Sequence, residues 1–214
     1  MVKTTLFGLA ALLAAIACGG SPQQPSGPTV SSVAVQSGDL PKGMVKCDLS
    51  GDIGSFLAKE KTQDPTSYNS INTEWSDAKK SGATAAYVAF FTDTQSHCSA
   101  IKTNGGDIGT ANYQLAINFV IQFKDEATAA KGYTNESIFG FSTSQLKQTG
   151  GVPVVEGSAT GLGGNSIVLS AVAASQSYYI AVWQKKSFMV ILALLNVDST
   201  ASKKVATSEN SRIS

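Results

Sequence analysis

The segment Ser177–Val197 constrains the fold of this chain more than any other. It contains two apolar stretches, Tyr178–Gln184 and Phe188–Val197, separated by a short polar connection. β-branched and aromatic residues dominate the first stretch and the second is almost continuously apolar, which is typical of strands in the middle of a sheet. We therefore expect a central β-hairpin, covered on at least one face, on which the rest of the chain packs.

The remaining patterns predict an α+β domain. Strands between Val154 and Val197 are joined by connections too short for crossover helices, so they must be antiparallel. Asp64–Lys80 is predicted to be a helix because Pro65 suits its first position and apolar residues recur at three- and four-residue steps. Tyr113–Phe123 alternates like a strand with one core face. Together they predict a twisted antiparallel sheet of about five to seven strands with helices packed on one face.

Shorter elements are expected on either side of these. Further helices are predicted from Asp52 to Lys59, from Asp125 to Tyr133, after Ser142, and over Thr200–Arg212. Further strands are predicted at Ala83–Phe91, at Val152–Gly157 as an edge strand because of Pro153, and at Ile167–Ala173. Residues 92–100 are expected to form a loop or a short helix.

Composition limits the class of partner. Hydrophobic residues make up 43% of the 214 residues and charged residues 14%, which fits one globular domain. The formal net charge is +1, so there is no excess of basic residues to neutralise phosphates. A nucleic-acid partner is therefore disfavoured.

The N-terminus has the layout of an export signal. Lys3 is followed by an apolar stretch from Leu6 to Ala17 and by small residues before Cys18. The apolar run is about twelve residues long, whereas a helix that spans a bilayer needs roughly twenty. We expect residues 1–17 to be removed as a signal peptide.

The sequence Ala15-Ile16-Ala17-Cys18 resembles the lipobox of bacterial lipoproteins, although Ala15 stands where the family most often has Leu. The resemblance implies that Cys18 becomes the first mature residue, acylated on its sulfur and its amino group, with palmitate as a typical chain. Each buried methylene contributes about 0.8 kcal/mol, so several chains would anchor the protein firmly in membrane lipid. The alternatives are an ordinary secretory signal cut near Ala17 and a buried cysteine in an unprocessed helix.

The segment after Cys18 is expected to be a spacer. Gly19–Ser32 is uncharged and rich in Gly, Ser, Pro and Gln, a composition that stays flexible. The predicted organisation is a signal peptide at 1–17, a lipidated cysteine and spacer at 18–32, and one globular domain at 33–214. The domain would lie on the extracytoplasmic face of the cell membrane or of an outer membrane.

Two cysteines remain in the domain. An even pair in an exported protein predicts a disulfide between Cys47 and Cys98. Closing a loop of about fifty residues would contribute on the order of 4 kcal/mol. Two reduced, buried thiols are the alternative, and a redox role is disfavoured because the chain has no Cys-x-x-Cys spacing.

No residue is assigned a catalytic, metal-binding or cofactor-binding role. His97 is the single histidine, which excludes a site with several histidine ligands, and no Gly-x-Ser-x-Gly elbow accompanies it. Gly161–Gly164 lacks the Gly-Lys-Ser/Thr ending of a phosphate loop and leads into a strand, so it is interpreted as a connection.

The acidic residues are interpreted as surface or helix-end groups. Asp125 with Glu126, and Glu74 with Asp77, could form carboxylate pairs for acid–base chemistry, but helix-end electrostatics and a solvated helix face are the favoured explanation. Asp107 lacks the Asp-x-Asp-x-Asp spacing of a calcium loop.

Aromatic residues are the remaining candidates for a ligand site. Trp75, Trp183, Tyr178 and Tyr179 could line an apolar pocket, although most such residues are core. Tyr178 and Tyr179 must face opposite sides of their strand. A lined cavity above about 300 Å³ would favour a small ligand, whereas a filled core with a flat exposed patch would favour a protein partner.

The C-terminal third carries a second resemblance. TGLGGNS from Thr160, YYIAVWQKKSFMVILALL, and a last helix followed by Ile213 resemble uncharacterised bacterial lipoproteins and the extracellular sensor-type domains of mycobacterial serine/threonine kinases. Those sensor domains carry two disulfides where this chain can make one. The resemblance implies an α+β binding or sensing module with no catalytic residue.

These patterns favour a membrane-anchored extracytoplasmic lipoprotein whose domain is a non-catalytic binding or sensing module. Its partner would be a small apolar molecule, an envelope component or a protein. The alternatives are an envelope hydrolase that uses Asp or Glu side chains and a structural or assembly lipoprotein.

Overall fold

The computed structural model of the protein describes residues 27–103, 111–135, 141–148, 152–173 and 175–214. Cys18, the predicted signal peptide and most of the predicted spacer lie outside these residues, as does Asp107. Within the described residues, no helix combines the length and the apolar character that a membrane crossing requires.

The described residues form both helices and strands. The α-helices are α1 Val30–Val33, α2 Ile53–Gln63, α3 Pro65–Lys80, α4 Gln95–Thr103, α5 Glu126–Asn135, α6 Thr143–Lys147 and α7 Ser199–Ser211. The strands are β1 Val45–Lys46, β2 Gly51–Asp52, β3 Ala83–Thr92, β4 Leu115–Phe123, β5 Val154–Glu156, β6 Ser166–Ala173, β7 Gln176–Lys185 and β8 Phe188–Leu195. A 3₁₀ turn, Gly157–Thr160, follows β5.

One antiparallel sheet contains all eight described strands. Its order is β1-β3-β4-β8-β7-β6-β5, with β2 also paired to β3. The predicted central hairpin is confirmed, because β8 lies in the middle of this order and pairs with β7 from Tyr178 opposite Leu195 to Lys185 opposite Phe188. The predicted edge strand is confirmed as β5, and the α+β class with an antiparallel sheet is confirmed as a whole.

Two hydrophobic cores form, one on each face of the sheet. The core on the first face joins strand residues such as Phe90 and Phe119 to Phe56 of α2, Trp75 of α3 and Ile101 of α4. Ala129 of α5 and Leu146 of α6 also belong to it. Most helices therefore cover this face, as the sequence predicts.

The second face is also covered. Val33 of α1 and Val205 of α7 pack there against sheet residues that include Phe91, Trp183 and Val190. The prediction that β4 has one core face is corrected by this packing, since its side chains are buried on both faces from Leu115 to Ile121. The single turn of α1 also makes Val30–Ser32, the end of the predicted spacer, helical.

The predicted helix boundaries are close to those observed. Asp64 caps α3 by accepting a hydrogen bond from the Ser67 backbone N–H, Pro65 is at its start, and Gly82 beyond its end has a φ of 99°. The helix predicted to end at Lys59 is wrong at that end, because α2 continues to Gln63. Residues 95–103 form the short helix that was one of two expectations for that region.

The predicted disulfide is present. Cys47 and Cys98 are bonded, with their Cα atoms 5.3 Å apart and a separation of 51 positions in sequence. Both cysteines are almost fully buried in the core of the first face. The bond therefore connects the segment before β2 to α4.

Candidate ligand-binding cavity

His97 lies on α4 in a local contact network. Its Nδ1 is 2.5 Å from Asp93 Oδ1, and its ring stacks on Tyr113 with the ring centroids 3.9 Å apart. These contacts account for the orientation of the imidazole. It does not line the cavity described below.

The predicted acidic pairs lie on helix surfaces and ends. Asp77 pairs with Lys80 at 2.7 Å on the exposed side of α3. Asp125 accepts a hydrogen bond of 2.7 Å from the Thr128 backbone N–H at the start of α5, and Glu126 beside it is exposed. Hydrogen bonds from the Thr128 side chain and from its backbone N–H hold the pKa of Asp125 below its usual value. Helix capping therefore explains Asp125 and surface pairing explains Asp77, whereas Glu74 is half-buried on α3.

The glycine-rich segment is a connection, as predicted. Gly161 and Gly163 have φ angles of 79° and 128°, which glycine adopts without strain. The segment leads into β6 and, with Lys185 and Lys186 of the β7–β8 turn, lines an open surface groove of about 590 Å³.

The four aromatic candidates belong to the two cores. Trp75 is 8% exposed on the first face, and Trp183 is fully buried on the second. Tyr178 packs against the first core and Tyr179 belongs to the second, which confirms that they face opposite sides. None of the four lines the cavity on the first face.

This cavity lies between helices α2, α3 and α4 and strands β3 and β4. Its volume is about 220 Å³. Its described apolar walls are Leu49, Phe56, Ile71, Phe90, Ile101, Ile117, Phe119 and Phe141, and its polar lining residues are Glu60 and Ser67. The volume is below the 300 Å³ at which pockets for drug-sized ligands begin. It exceeds the roughly 150 Å³ of an engineered apolar cavity that binds benzene.

Aromatic rings form a continuous part of the wall. Phe56 and Phe90 stack with centroids 6.0 Å apart, and Phe90 meets Phe119 edge-to-face at 6.3 Å. Both separations lie in the range of favourable aromatic pairs. The wall is therefore held by mutual ring contacts as well as by the sheet.

Glu60 brings a carboxyl group to this apolar space. It occupies the buried face of α2 together with Ile53, Phe56 and Leu57, and it is only 5% exposed. Burial, with repulsion from Asp64 in addition, raises the pKa of Glu60 to about 7. Among the described residues, no hydrogen bond or ion pair involves its side chain.

The carboxylate of the neighbouring acid, Asp64, forms hydrogen bonds at the start of α3. Asp64 accepts hydrogen bonds from both the backbone N–H and the hydroxyl of Ser67, at 3.1 and 2.7 Å. These bonds begin α3, so Asp64 has a structural role at the helix cap. Its carboxylate nevertheless adds negative charge near the cavity.

The disulfide secures two parts of the cavity wall. Leu49 lies two residues after Cys47, and Ile101 lies one helical turn after Cys98 on α4. The bond therefore limits how far these two wall segments can separate.

Sequence reasoning did not identify Glu60. The predicted helix ends at Lys59, one residue before Glu60, so the prediction does not include Glu60 in the apolar face of that helix. A signal was available, because Glu60 follows Phe56 by four residues and Leu57 by three. Cavity walls contributed by separate elements, such as Ile117 and Phe141, have no local pattern that would reveal them.

Metal ligands do not cluster in the part of the chain that the structure describes. Groups of three or more His, Cys, Asp or Glu side chains that could hold a metal ion are absent there.

Comparisons with known proteins give a limited result. No protein-family model matches the chain, and no curated protein matches it. Among solved structures, the extracellular domain of PknH from Mycobacterium tuberculosis is similar, with a TM-score of 0.47 and 12% sequence identity over 86% of this chain and 94% of that chain.

Proposed function

We propose that this chain is a membrane-anchored extracytoplasmic lipoprotein whose domain binds a small apolar molecule without chemical conversion. The observation that supports binding is the apolar cavity under α2 and α3. The anchor rests on the N-terminal sequence pattern that ends at Cys18.

The cavity has the features of a small-ligand site. Its walls are mostly apolar and aromatic, and Glu60 and Ser67 provide a few polar groups that could orient a ligand. Ser67, Ile71 and Phe141 are only half-buried, which places them on the side where the cavity meets the surface. A ligand the size of one aromatic ring with a short chain would fit this volume.

Binding can be tested with toluene as the probe. Isoleucine methyl groups labelled with ¹³C would report on Ile71, Ile101 and Ile117, which line the cavity. We expect toluene to shift these three signals in a saturable manner. The variant Ile71→Phe should weaken the response by filling the entrance, whereas the control Val172→Phe, at a position that is 78% exposed, should not. Unchanged methyl signals in a folded wild-type protein would contradict the binding proposal.

The anchor is tested independently by mass spectrometry of the mature protein from its native membrane. We expect an N-terminus at Cys18 that carries acyl chains. The variant Cys18→Ser should be released from the membrane while the domain stays folded. A full-length chain with an intact leader in the cytosol would contradict this part of the proposal.

One observation favours the hydrolase alternative. Glu60 lies in a cavity and has a raised pKa, as general acids do, and repulsion from Asp64 contributes to raising that pKa. Incubation with p-nitrophenyl glycosides and esters would test this alternative. Turnover that disappears in Glu60→Gln would support it, and a lack of turnover by folded wild-type protein would speak for binding without conversion.

A further inference from the structure

The hairpin formed by β6 and β7 loses its cover towards its turn. The first residues of β6, from Ser166 to Leu169, are buried, whereas Val172 and Ala173 at its end are exposed. Val172 is 78% exposed, more than any other large hydrophobic side chain in the described part of the chain. Ser175 in the turn is exposed as well. These three residues, Val172, Ala173 and Ser175, are the hairpin tip, and they present an uncharged, partly apolar surface to the surroundings.

The hairpin and the segment that leads into it carry no charged side chain. The sequence from Gly157 to Gln184 contains no Asp, Glu, Lys, Arg or His, although charged residues make up 14% of the chain. Sheet edges that face water usually carry charged side chains, which prevent association. A hairpin without charge can approach an apolar phase at little cost, because it has no ion to desolvate.

A tyrosine lies next to the tip. Val172 is opposite Ser177 and Ala171 is opposite Tyr178, so Tyr178 is one pair further from the turn. Its side chain is half-buried, and its hydroxyl donates to the side chain of Gln176. Tyrosine is enriched at the headgroup level of membranes, where the ring lies in an apolar layer and the hydroxyl in a polar one. An exposed apolar tip followed by a tyrosine therefore fits shallow insertion into a bilayer.

The proposed anchor keeps the domain within reach of the bilayer. Cys18 is nine positions before Gly27, and nine residues span at most about 32 Å. The first described helix, α1, packs on β3 and β4. β6 lies three strands from β4 in the sheet, which corresponds to about 14 Å. The spacer is therefore long enough for the hairpin tip to touch the bilayer that holds Cys18.

Tethering makes a weak contact sufficient. Two small apolar side chains would hold a free domain on a bilayer only marginally, since even a single myristoyl chain binds marginally. A short flexible tether raises the effective concentration of such a contact to the mM range. Insertion of the tip can therefore orient a domain that acyl chains already retain.

The contact does not depend on anionic lipid. The hairpin brings no charge of its own to the headgroups. Asp198, the N-cap of α7, lines a surface groove together with Val172 and Tyr179, and a carboxylate offers no attraction to anionic headgroups. A zwitterionic lipid such as phosphatidylcholine is therefore the appropriate partner for a test.

We infer that the hairpin tip inserts shallowly into the bilayer to which the chain is anchored, with Tyr178 at the level of the headgroups. This inference rests on the proposed lipid anchor at Cys18 and adds the surface through which the domain contacts the membrane. The contact determines which end of the sheet faces the bilayer.

A fluorescent label at the tip tests this contact. In the variant Ala173→Cys the new thiol reacts with a nitrobenzoxadiazole label, whereas Cys47 and Cys98 are bonded and buried. The mature acylated chain is reconstituted into phosphatidylcholine vesicles that contain a nitroxide-labelled lipid. We expect the nitroxide to quench the label at the tip. The same label in Thr207→Cys should not be quenched, because Thr207 is exposed on α7 about 14 Å along the helix from Asp198.

A charge at the tip should prevent insertion. Adding Val172→Asp to the labelled Ala173→Cys chain should lower the inserted population by at least about tenfold, since Asp is strongly disfavoured in the apolar part of a bilayer. The control Thr207→Asp adds the same charge away from the tip and should leave the quenching unchanged. Quenching should also persist at high salt, because the contact is apolar.

Vesicle flotation separates this inference from the anchor. A chain that does not float with the vesicles would show that the anchor is wrong, and the inference fails with it. If the chain floats but the label at position 173 is quenched no more than the label at position 207, the anchor stands and the inference is wrong. A blue-shifted label at the tip without quenching by lipid would show that protein, such as a second copy of the chain, covers the tip, and would also overturn the inference. Toluene binding tests the cavity separately from all of these results.

Discussion

Glu60 couples the stability of the folded chain to pH. Burial and the charge of Asp64 raise its pKa from 4.5 to about 7. The unfolded chain therefore releases this proton near pH 4.5, whereas the folded chain retains it until about pH 7. Since the folded state binds more protons in this window, the contribution of Glu60 to stability is fully present below pH 4.5 and is lost as the pH rises to about 7.

The variant Glu60→Gln should remove this dependence. At pH 8 we expect its free energy of unfolding to exceed that of wild type by about 2 kcal/mol, since one pKa unit corresponds to about 1.4 kcal/mol and relaxation of the structure and solvent around the ionised carboxyl reduces the effect. Urea denaturation at pH 5, 6, 7 and 8 would measure the difference.

Two features of the comparison isolate Glu60. Glu209 also has a raised pKa because it is buried, but it is present in both proteins and its contribution cancels. The exposed control Glu126→Gln should follow the wild-type curve. Parallel curves for wild type and Glu60→Gln would show that the carboxyl is not destabilised by folding.

The buried side chain of Asn118 forms hydrogen bonds with three other parts of the structure. Its Nδ2 donates to Glu209 Oε1 at 2.8 Å and to the Ile191 carbonyl at 3.2 Å. Its Oδ1 accepts a hydrogen bond of 3.0 Å from the Val35 backbone N–H. One buried amide therefore joins β4 to β8, to α7 and to the segment after α1.

The variant Asn118→Ala should lower the free energy of unfolding by about 3 kcal/mol, because it leaves a buried N–H and a buried carboxyl without partners. Chemical denaturation at pH 7 would measure the loss. The control Asn69→Ala, on the exposed side of α3, should change stability by less than about 0.5 kcal/mol. Equal stabilities of the two variants would contradict the role of this network.

At the scale of elements, the disulfide is expected to affect both stability and the cavity. Its loop spans 51 residues, so its loss in Cys47→Ser/Cys98→Ser should lower the free energy of unfolding by about 4 kcal/mol. Because Leu49 and Ile101 lie close to the two cysteines, toluene affinity should fall as well. Denaturation and methyl titrations would measure the two effects, and unchanged values for both would show that the bond is dispensable.

The elements with strong local patterns could be predicted from sequence. The central hairpin has a continuous apolar run, and α3 has a cap, a proline and regular apolar spacing. The local sequence of each element is therefore sufficient to predict its secondary structure. The cysteine pair could also be predicted, because the N-terminus has the pattern of an export signal and the predicted domain contains two cysteines, so each has one possible partner.

Other features depend on contacts between distant parts of the chain. The second face of β4 is buried because α1 and α7, which lie near opposite ends of the domain sequence, pack on it. The alternation of residues within β4 does not predict this packing. The cavity likewise combines walls from α2, α3, α4 and the sheet. The size and position of such a space follow from packing rather than from any local motif.

At the scale of the whole molecule, both ends of the domain meet on the second face. Arg212 Nε donates to the Val33 carbonyl and Nη2 to the Ala34 carbonyl, each at 3.0 Å, and the guanidinium also binds Asp39. Burial alone would raise the pKa of Asp39, but hydrogen bonds from Arg212 and Ser208 hold it below its usual value. The segment that follows the predicted spacer is therefore part of the core.

This arrangement predicts different results for two truncations. Removing residues 1–28 should leave the melting temperature and toluene affinity unchanged, because Val33, Ala34 and Val35 remain buried and the cavity lies on the other face of the sheet. Removing residues 1–36 should lower the melting temperature by at least about 10 °C, since it deletes these buried side chains and the two backbone carbonyls to which Arg212 donates. Calorimetry of both proteins would decide the matter. Equal melting temperatures would mean that residues 29–36 belong to the spacer, whereas the expected difference would mean that they belong to the folded domain and pack on the face of the sheet opposite the cavity.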